Sequence, residues 1–318
     1  MSNKRRPAAP GASSGAQSPA EFAGIFAIPS APTGYPLTVS HMQLAPLLAV
    51  WQANTETTLS VTTSPDLGLS TVEITLTPTG LVYPAGERIS WEVVRSIADS
   101  PNQCFTIDNV GAATAIASFS QTSGMIRSLM PTTGAPTTLV SGFSMHRIKG
   151  TEPWADTAAK IRAIAPVTGR VLDTTTGLGY TAILAARSTR EVVTIELDPT
   201  GLEIARANPW SHELFDKPNI ERLVGDAFEV VAEQRESSFD RILHDPPYLK
   251  LAGELYSEEM YRRLYRVLRP GGKLFHYIGD PRSSSGAKTT AGVMRRMEAA
   301  GFQRITRRPD AFGVAATR

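Results

Sequence analysis

Residues 169–199 read GRVLDTTTGLGYTAILAARSTREVVTIELDP, and this stretch decides the fold. VLD and VVTIELD are short, nearly continuous apolar runs, the pattern of strands buried on both faces. Between them, Gly177 and Gly179 mark a tight turn, and TAILAARS is helix-forming and apolar. Strand, glycine turn, helix and strand form a right-handed crossover unit, which implies a parallel sheet.

Working outward, the same grammar continues on both sides. EPWADTAAKIRAIA predicts a helix before the first strand, with Pro153 in its first turn. TGLEIARAN predicts a helix, NIERLVGDAF a third strand and FDRILHDPP a fourth. SEEMYRRLYRVL predicts an amphipathic helix, KLFHYIGD a fifth strand and AGVMRRMEAA a last helix. FQRITRRP and FGVAAT close the chain as a hairpin. The predicted fold class is α/β: a doubly wound, mostly parallel sheet over residues 150–318 with a terminal antiparallel hairpin. Residues 40–149 predict a smaller β-rich domain: STVEITLTPTGLVYPAGERISW alternates polar and apolar residues around turns, and QCFTIDN, ATAIASFSQ and TTLVSGFSM read as further strands. HMQLAPLLAVW and WEVVRSIADS are its two helical stretches.

In open α/β sheets ligands bind at the carboxyl ends of the strands. Asp173 ends the first strand, followed by Thr175, Gly177 and Gly179 in the turn. Such a turn lets a ligand approach the backbone and offers it helix-start N–H groups. Glu196 ends the second strand, where a carboxylate can accept from both hydroxyls of a ribose. GDAF, with Asp226 and Ala227, ends the third, and Asp226 can accept from an adenine amino group. The competing explanation is that these residues only cap helices and shape turns.

The fourth strand ends in HDPPY, His244 to Tyr248. A planar amino nitrogen is a poor nucleophile because its lone pair is delocalised. Asp245 and the Pro246 carbonyl can each accept one of its N–H groups and draw the lone pair out of conjugation, while Tyr248 can stack on a planar acceptor. Two prolines fix the backbone and add no competing N–H. On a regular strand His244 faces away from Asp245, a structural position.

Together LDTTTGLG, IELDP, GDAF, LHDPPY and YRVLRPGGKL resemble the core of class I methyltransferases over residues 169–280. That resemblance implies S-adenosylmethionine as cofactor, bound by Asp173, Thr175, Gly177, Gly179, Glu196, Asp226 and Ala227. It implies an amino or amide nitrogen as acceptor, with Asp245, Pro246 and Tyr248 as the catalytic group. Thr175 stands where the family's first motif often has a glycine. GDAF with AGELYSEEMYRRLYRVLRPGG also resembles the spermidine-synthase-like aminopropyltransferases, which use decarboxylated S-adenosylmethionine. Those enzymes place a second carboxylate soon after the strand-four acid, where this chain has Pro246, Pro247 and Tyr248.

Charge bears on the acceptor. Residues 41–140 hold three arginines, no lysine and seven acids, a net charge of −4. That is a poor surface for a phosphate backbone, so a small-molecule or protein acceptor is expected ahead of an RNA base. The arginines of the C-terminal region keep an RNA base N-methyltransferase as an alternative. One cysteine, Cys104, rules out an intramolecular disulfide and a cysteine-based zinc site, and no metal is expected. Residues 1–20 predict a disordered tail without the apolar core of a secretory signal, and no window is apolar enough for a membrane span, so a cytoplasmic enzyme is expected. The approach segment SMHRIKGTEPWADT gathers Met145, His146, Arg147, Lys149, Trp154 and Asp156 before the first strand. Packing and capping are its ordinary roles, and lining a cofactor mouth is the other.

Overall fold

A seven-stranded sheet carries the C-terminal half, in the order β14-β13-β12-β15-β16-β18-β17. Its members are β12 (Arg170–Asp173), β13 (Glu191–Glu196), β14 (Ile220–Val224), β15 (Phe239–His244), β16 (Leu268–Tyr277), β17 (Gln303–Arg308) and β18 (Gly313–Thr317). Strands β12 to β16 pair in parallel, whereas β18 runs antiparallel between β16 and β17. The expected doubly wound sheet and terminal hairpin are both present. This computed structural model describes residues 24–54, 57–249 and 252–318, so the tail expected over residues 1–20 lies outside the described residues.

Local chemistry sets the helix starts. Glu152 caps α3 (Pro153–Ala163) by accepting from the Trp154 and Ala155 N–H groups, and Pro153 fills the first helical position. α4 (Tyr180–Ala186) follows Gly179, whose φ of +77° suits glycine, and a Cβ there would lie 2.6 Å from Leu214. α5 (Pro199–Ala207) is capped by Asp198, and α6 (His212–Asp216) follows it closely. α7 (Ala227–Glu233) and α8 (Glu258–Val267) cover one face, with α9 (Ser284–Ala299) beside them. In α8, Met260, Tyr261, Leu264 and Val267 recur at three- and four-residue spacing and are all buried.

Residues 37–144 form three smaller antiparallel sheets. One holds β1 (Leu37–Ser40), β6 (Cys104–Ile107) and β7 (Ala113–Ala115). The second holds β2 (Leu59–Thr63), β3 (Val72–Thr77), β4 (Gly80–Val82) and β5 (Arg88–Ser90). The third holds β8 (Ala117–Phe119), β9 (Ile126–Met130), β10 (Thr137–Val140) and β11 (Phe143–Ser144). Helices α1 (His41–Ala53) and α2 (Trp91–Ala98) pack with the first two sheets around Leu44, Ile74, Leu81 and Val94.

The stretch ATAIASFSQ, expected as one strand, is two. The chain leaves the first sheet at Ile116, which is buried, donates to the Cys104 carbonyl and accepts from the Leu129 N–H. Its neighbours therefore pair in different sheets. Leu67, Cys104, Ile116 and Leu129 share one apolar cluster with Trp154, Tyr180 and Trp210. Three bonds fasten the halves across this core: Tyr180 Oη donates to the Pro136 carbonyl at 2.9 Å, Trp210 Nε1 to that of Leu67 at 3.1 Å and Trp154 Nε1 to that of Phe26 at 3.2 Å.

Candidate active site

The carboxyl ends of β12, β13 and β15 bring most of the sequence-selected residues together. Thr175 Oγ1 donates to the Asp245 main-chain carbonyl at 2.7 Å, joining the glycine turn to the DPPY segment. Glu196 Oε2 accepts from the Gly177 N–H at 2.9 Å and Oε1 from the Asp198 N–H at 3.1 Å. Glu196 is only 7% exposed, so it braces the turn from beneath as well as standing at a strand end. Burial raises its pKa, and the two backbone N–H groups and Arg127 pull it back.

Asp173 is fully buried. Its Oδ2 accepts from the hydroxyls of Thr181 and Thr194, both at 2.9 Å, whereas Oδ1 has no partner. Burial raises its pKa to about 7 against those two hydrogen bonds. Gly177 has φ +54° and open space where a Cβ would stand. Asp226 and Ala227 follow Gly225, whose N–H donates to the Glu196 carbonyl at 2.9 Å: Asp226 is exposed and accepts from the Phe228 N–H at 2.8 Å, capping α7, and Ala227 is buried in the core. Next to Glu196, Leu197 is 56% exposed, an apolar surface at the rim that the sequence did not single out.

At DPPY, Asp245 is partly exposed, Pro246 is buried and Tyr248 is exposed. His244 faces the core as expected. Its Nε2 lies 2.8 Å from the Leu255 carbonyl, so Nε2 carries the proton and Nδ1 accepts from Thr174 Oγ1 at 2.8 Å. Burial lowers its pKa to about 4, which keeps the ring neutral.

The structure adds one charged group to the site, Lys160 of α3. Its Nζ lies 2.6 Å from Asp245 Oδ2, 3.1 Å from Asp156 Oδ2 and 4.4 Å from the centre of the Tyr277 ring. Burial opposes charge on Lys160, but Asp245 and Asp156 hold its pKa above the ordinary value, so the ammonium persists. Burial likewise raises Asp245, with Lys160 acting in the opposite direction. Asp156 is paired in turn with Arg147, whose Nη1 lies 3.1 Å from Oδ1. Of the approach segment, Arg147 and Asp156 thus reach this network. His146 instead bonds Thr137 Oγ1 through Nδ1 at 2.9 Å, and Trp154 lies in the core. In sequence, Asp156 and Lys160 look like a solvated i,i+4 pair, so only the fold shows Lys160 meeting a residue 85 positions away.

Comparison with known proteins bears on this geometry. The family description "Methyltransferase domain" matches residues 171–272. The uncharacterized protein MJ1233 of Methanocaldococcus jannaschii is 42% identical over 238 residues, covering 74% of this chain and 80% of that protein. The chain belongs to the same family as MJ1233. A polyamine aminopropyltransferase of Aeropyrum pernix is 37% identical over 95 residues, which is 28% of this chain and 30% of that enzyme. A crystal structure of spermidine synthase with the transition-state analogue AdoDATO superposes with a TM-score of 0.51 at 19% identity, covering 67% of this chain and 78% of that one, a likeness of fold. The chain is thus an enzyme of the S-adenosylmethionine-dependent methyltransferase/aminopropyltransferase superfamily. Among the described residues, no group of three His, Cys, Asp or Glu could hold a metal, and no helix is long and apolar enough to cross a membrane.

Proposed function

We propose that the chain transfers a methyl group from S-adenosylmethionine to an amino or amide nitrogen of a small-molecule or protein acceptor in the cytoplasm. The observation that carries this reading is the contact of Thr175 with Asp245, which sets DPPY against the glycine turn. The residues present suit the cofactor. Asp173 offers a buried, partnerless carboxylate oxygen to an amino group, Gly177 leaves open space, and Glu196 retains lone pairs for ribose hydroxyls. The bound cofactor supplies an electrophilic methyl group. The chain's own task is to hold the acceptor nitrogen in line, which is where an enzyme of this kind gains most of its rate.

Asp245 Oδ1 and the Pro246 carbonyl take no hydrogen bond among the described residues, so both are free to accept from an amino group. Tyr248, 56% exposed, offers a ring face to the acceptor. The exposed Leu197 offers an apolar contact beside the ribose position.

A second reading, aminopropyl transfer from decarboxylated S-adenosylmethionine, is favoured by the matched segment of the A. pernix enzyme. The site fits it less well. Tyr248 stands where a second carboxylate would hold the amine, and Lys160 already neutralises Asp245. Calorimetry with S-adenosylmethionine, its decarboxylated form and NADH separates the readings. Tight binding of S-adenosylmethionine with weak binding of the other two is expected. Preference for the decarboxylated form would replace methyl transfer by aminopropyl transfer.

A further inference from the structure

We propose that Lys160 is a positioning residue of the transfer site: its ammonium keeps Asp245 ionised and pins Oδ2, presenting Oδ1 alone to the acceptor amino group. The inference rests on the methyl-transfer reading above and assigns a role to a residue outside the motifs that support it.

The geometry is asymmetric in a way that suits this role. Lys160 is 3% exposed and fixed on the third turn of α3, and buried lysines occur almost only where they are paired. Of its two carboxylate neighbours, Asp245 is the closer, at 2.6 Å against 3.1 Å for Asp156. Asp156 has a second cation, Arg147, on its other oxygen. Positive and negative groups alternate as Arg147, Asp156, Lys160 and Asp245, so the network is neutral as a whole. Its last member reaches the cleft: the Asp245 side chain is 21% exposed, against 1% for Asp156.

With Oδ2 engaged, a carboxylate that could accept from two N–H groups has one oxygen left for the acceptor. The Pro246 carbonyl, on the next residue, is available for the other N–H. The same pairing decides whether the carboxylate exists at working pH. Desolvation favours the protonated acid, and a protonated Asp245 would offer a neutral acceptor, weaker than the charged carboxylate at drawing out a nitrogen lone pair. The groups bearing on Asp245 are Lys160 and Asp156 from α3, Asp173 from β12, Tyr277 from β16, and Tyr256 from the segment after β15. Lys160 is the one cation in contact with it among the described residues. Removing Lys160 therefore removes the interaction that opposes burial.

A Lys160 that serves only Asp156 and the packing of α3 and one that holds Asp245 ionised differ in what the loss of the ammonium does to Asp245 itself. Carbon-13 NMR of the ligand-free full chain reads the Asp245 carboxyl titration, assigned by the signal missing in Asp245→Asn. In Lys160→Met the midpoint is expected at least one pH unit above wild type, a tenfold gain in proton affinity, and Lys160→Arg should restore most of the difference. Where Lys160→Met alone fails to fold, the Lys160→Met/Asp156→Asn double variant removes one charge of each sign and keeps the comparison. An unchanged midpoint in the folded variant overturns the proposal. S-adenosylhomocysteine titrated by calorimetry into the same proteins is expected to bind wild type and Lys160→Met within threefold. Failure of wild type to bind it would sink the cofactor reading and leave the titration result standing.

Discussion

Glu196 grips the glycine turn from below: its Oε2 accepts the Gly177 N–H at 2.9 Å while Oε1 accepts the Asp198 N–H at 3.1 Å. The carboxylate that should receive the ribose is thus also what shapes the loop above it. Glu196→Ala is expected to weaken S-adenosylhomocysteine binding by about 1.5–3 kcal/mol, the range for a lost hydrogen bond to a charged group. The same change should lower stability to denaturant by about 1–3 kcal/mol, because two N–H groups lose their partner. Calorimetry and denaturation on one preparation check both. Unchanged affinity in a destabilised variant would leave Glu196 a brace without a ligand role.

The alternation of strands and helices after residue 150 was legible because doubly covered parallel strands are nearly pure apolar runs, as in VVTIE of β13. The break at Ile116 was not, because a residue that leaves one sheet for another keeps the alternation of a single strand. Asp173, Glu196 and Asp245 were legible as strand-end acids. Their environments were not: the hydroxyls on Asp173 come from Thr181 and Thr194, and the ammonium on Asp245 from Lys160. These partners depend on sheet register and helix packing, to which local periodicity is blind.

Asp173 gives a pH signature. Its folded pKa, raised to about 7 by burial, exceeds the unfolded value of about 3.9, so between those pH values the folded state holds a proton that the unfolded state has released. Stability contributed at this site is therefore present at low pH and declines as pH rises toward 7, by at most about 1.4 kcal/mol per unit. In Asp173→Asn that slope disappears. Urea denaturation at pH 4.5 and 7.5 should show the advantage of wild type over Asp173→Asn shrinking at the higher pH. A gap that is constant or widens would place the titration elsewhere.

His276 lies in the core with both ring nitrogens unpartnered, its ring centre 4.6 Å from that of His244 and 4.9 Å from that of Tyr256. Burial, then His244 and Arg296, drive its pKa well down. Below pH of about 6.5 the unfolded chain takes up a proton that the folded one refuses, so this site loses stability as pH falls. His276→Phe keeps a ring and removes two unsatisfied polar atoms, and should gain about 1 kcal/mol at pH 7. The gain should grow at pH 5.5. A loss at both pH values would show that His276 has a hydrogen-bonding partner in solution.

The acceptor class has its own measurement. β17 is an edge strand, and the side chains of its exposed Arg304, Arg307 and Arg308 make no ion pair or hydrogen bond among the described residues. Such a row invites a phosphate backbone, but charged side chains on an edge strand also keep it from pairing with another chain. Residues 41–140 carry −4 and would repel a long polyanion. Edge protection is therefore the expected role, and bulk tRNA should bind no more tightly than about 10 μM at physiological salt, within the range of non-specific contact. Replacing the three arginines by glutamate should leave S-adenosylhomocysteine affinity unchanged and promote no self-association, since charge of either sign guards the edge. Submicromolar tRNA binding that falls steeply with salt and disappears in the triple variant would overturn the small-molecule or protein acceptor. The basic edge would then be the docking strip of an RNA-modifying enzyme.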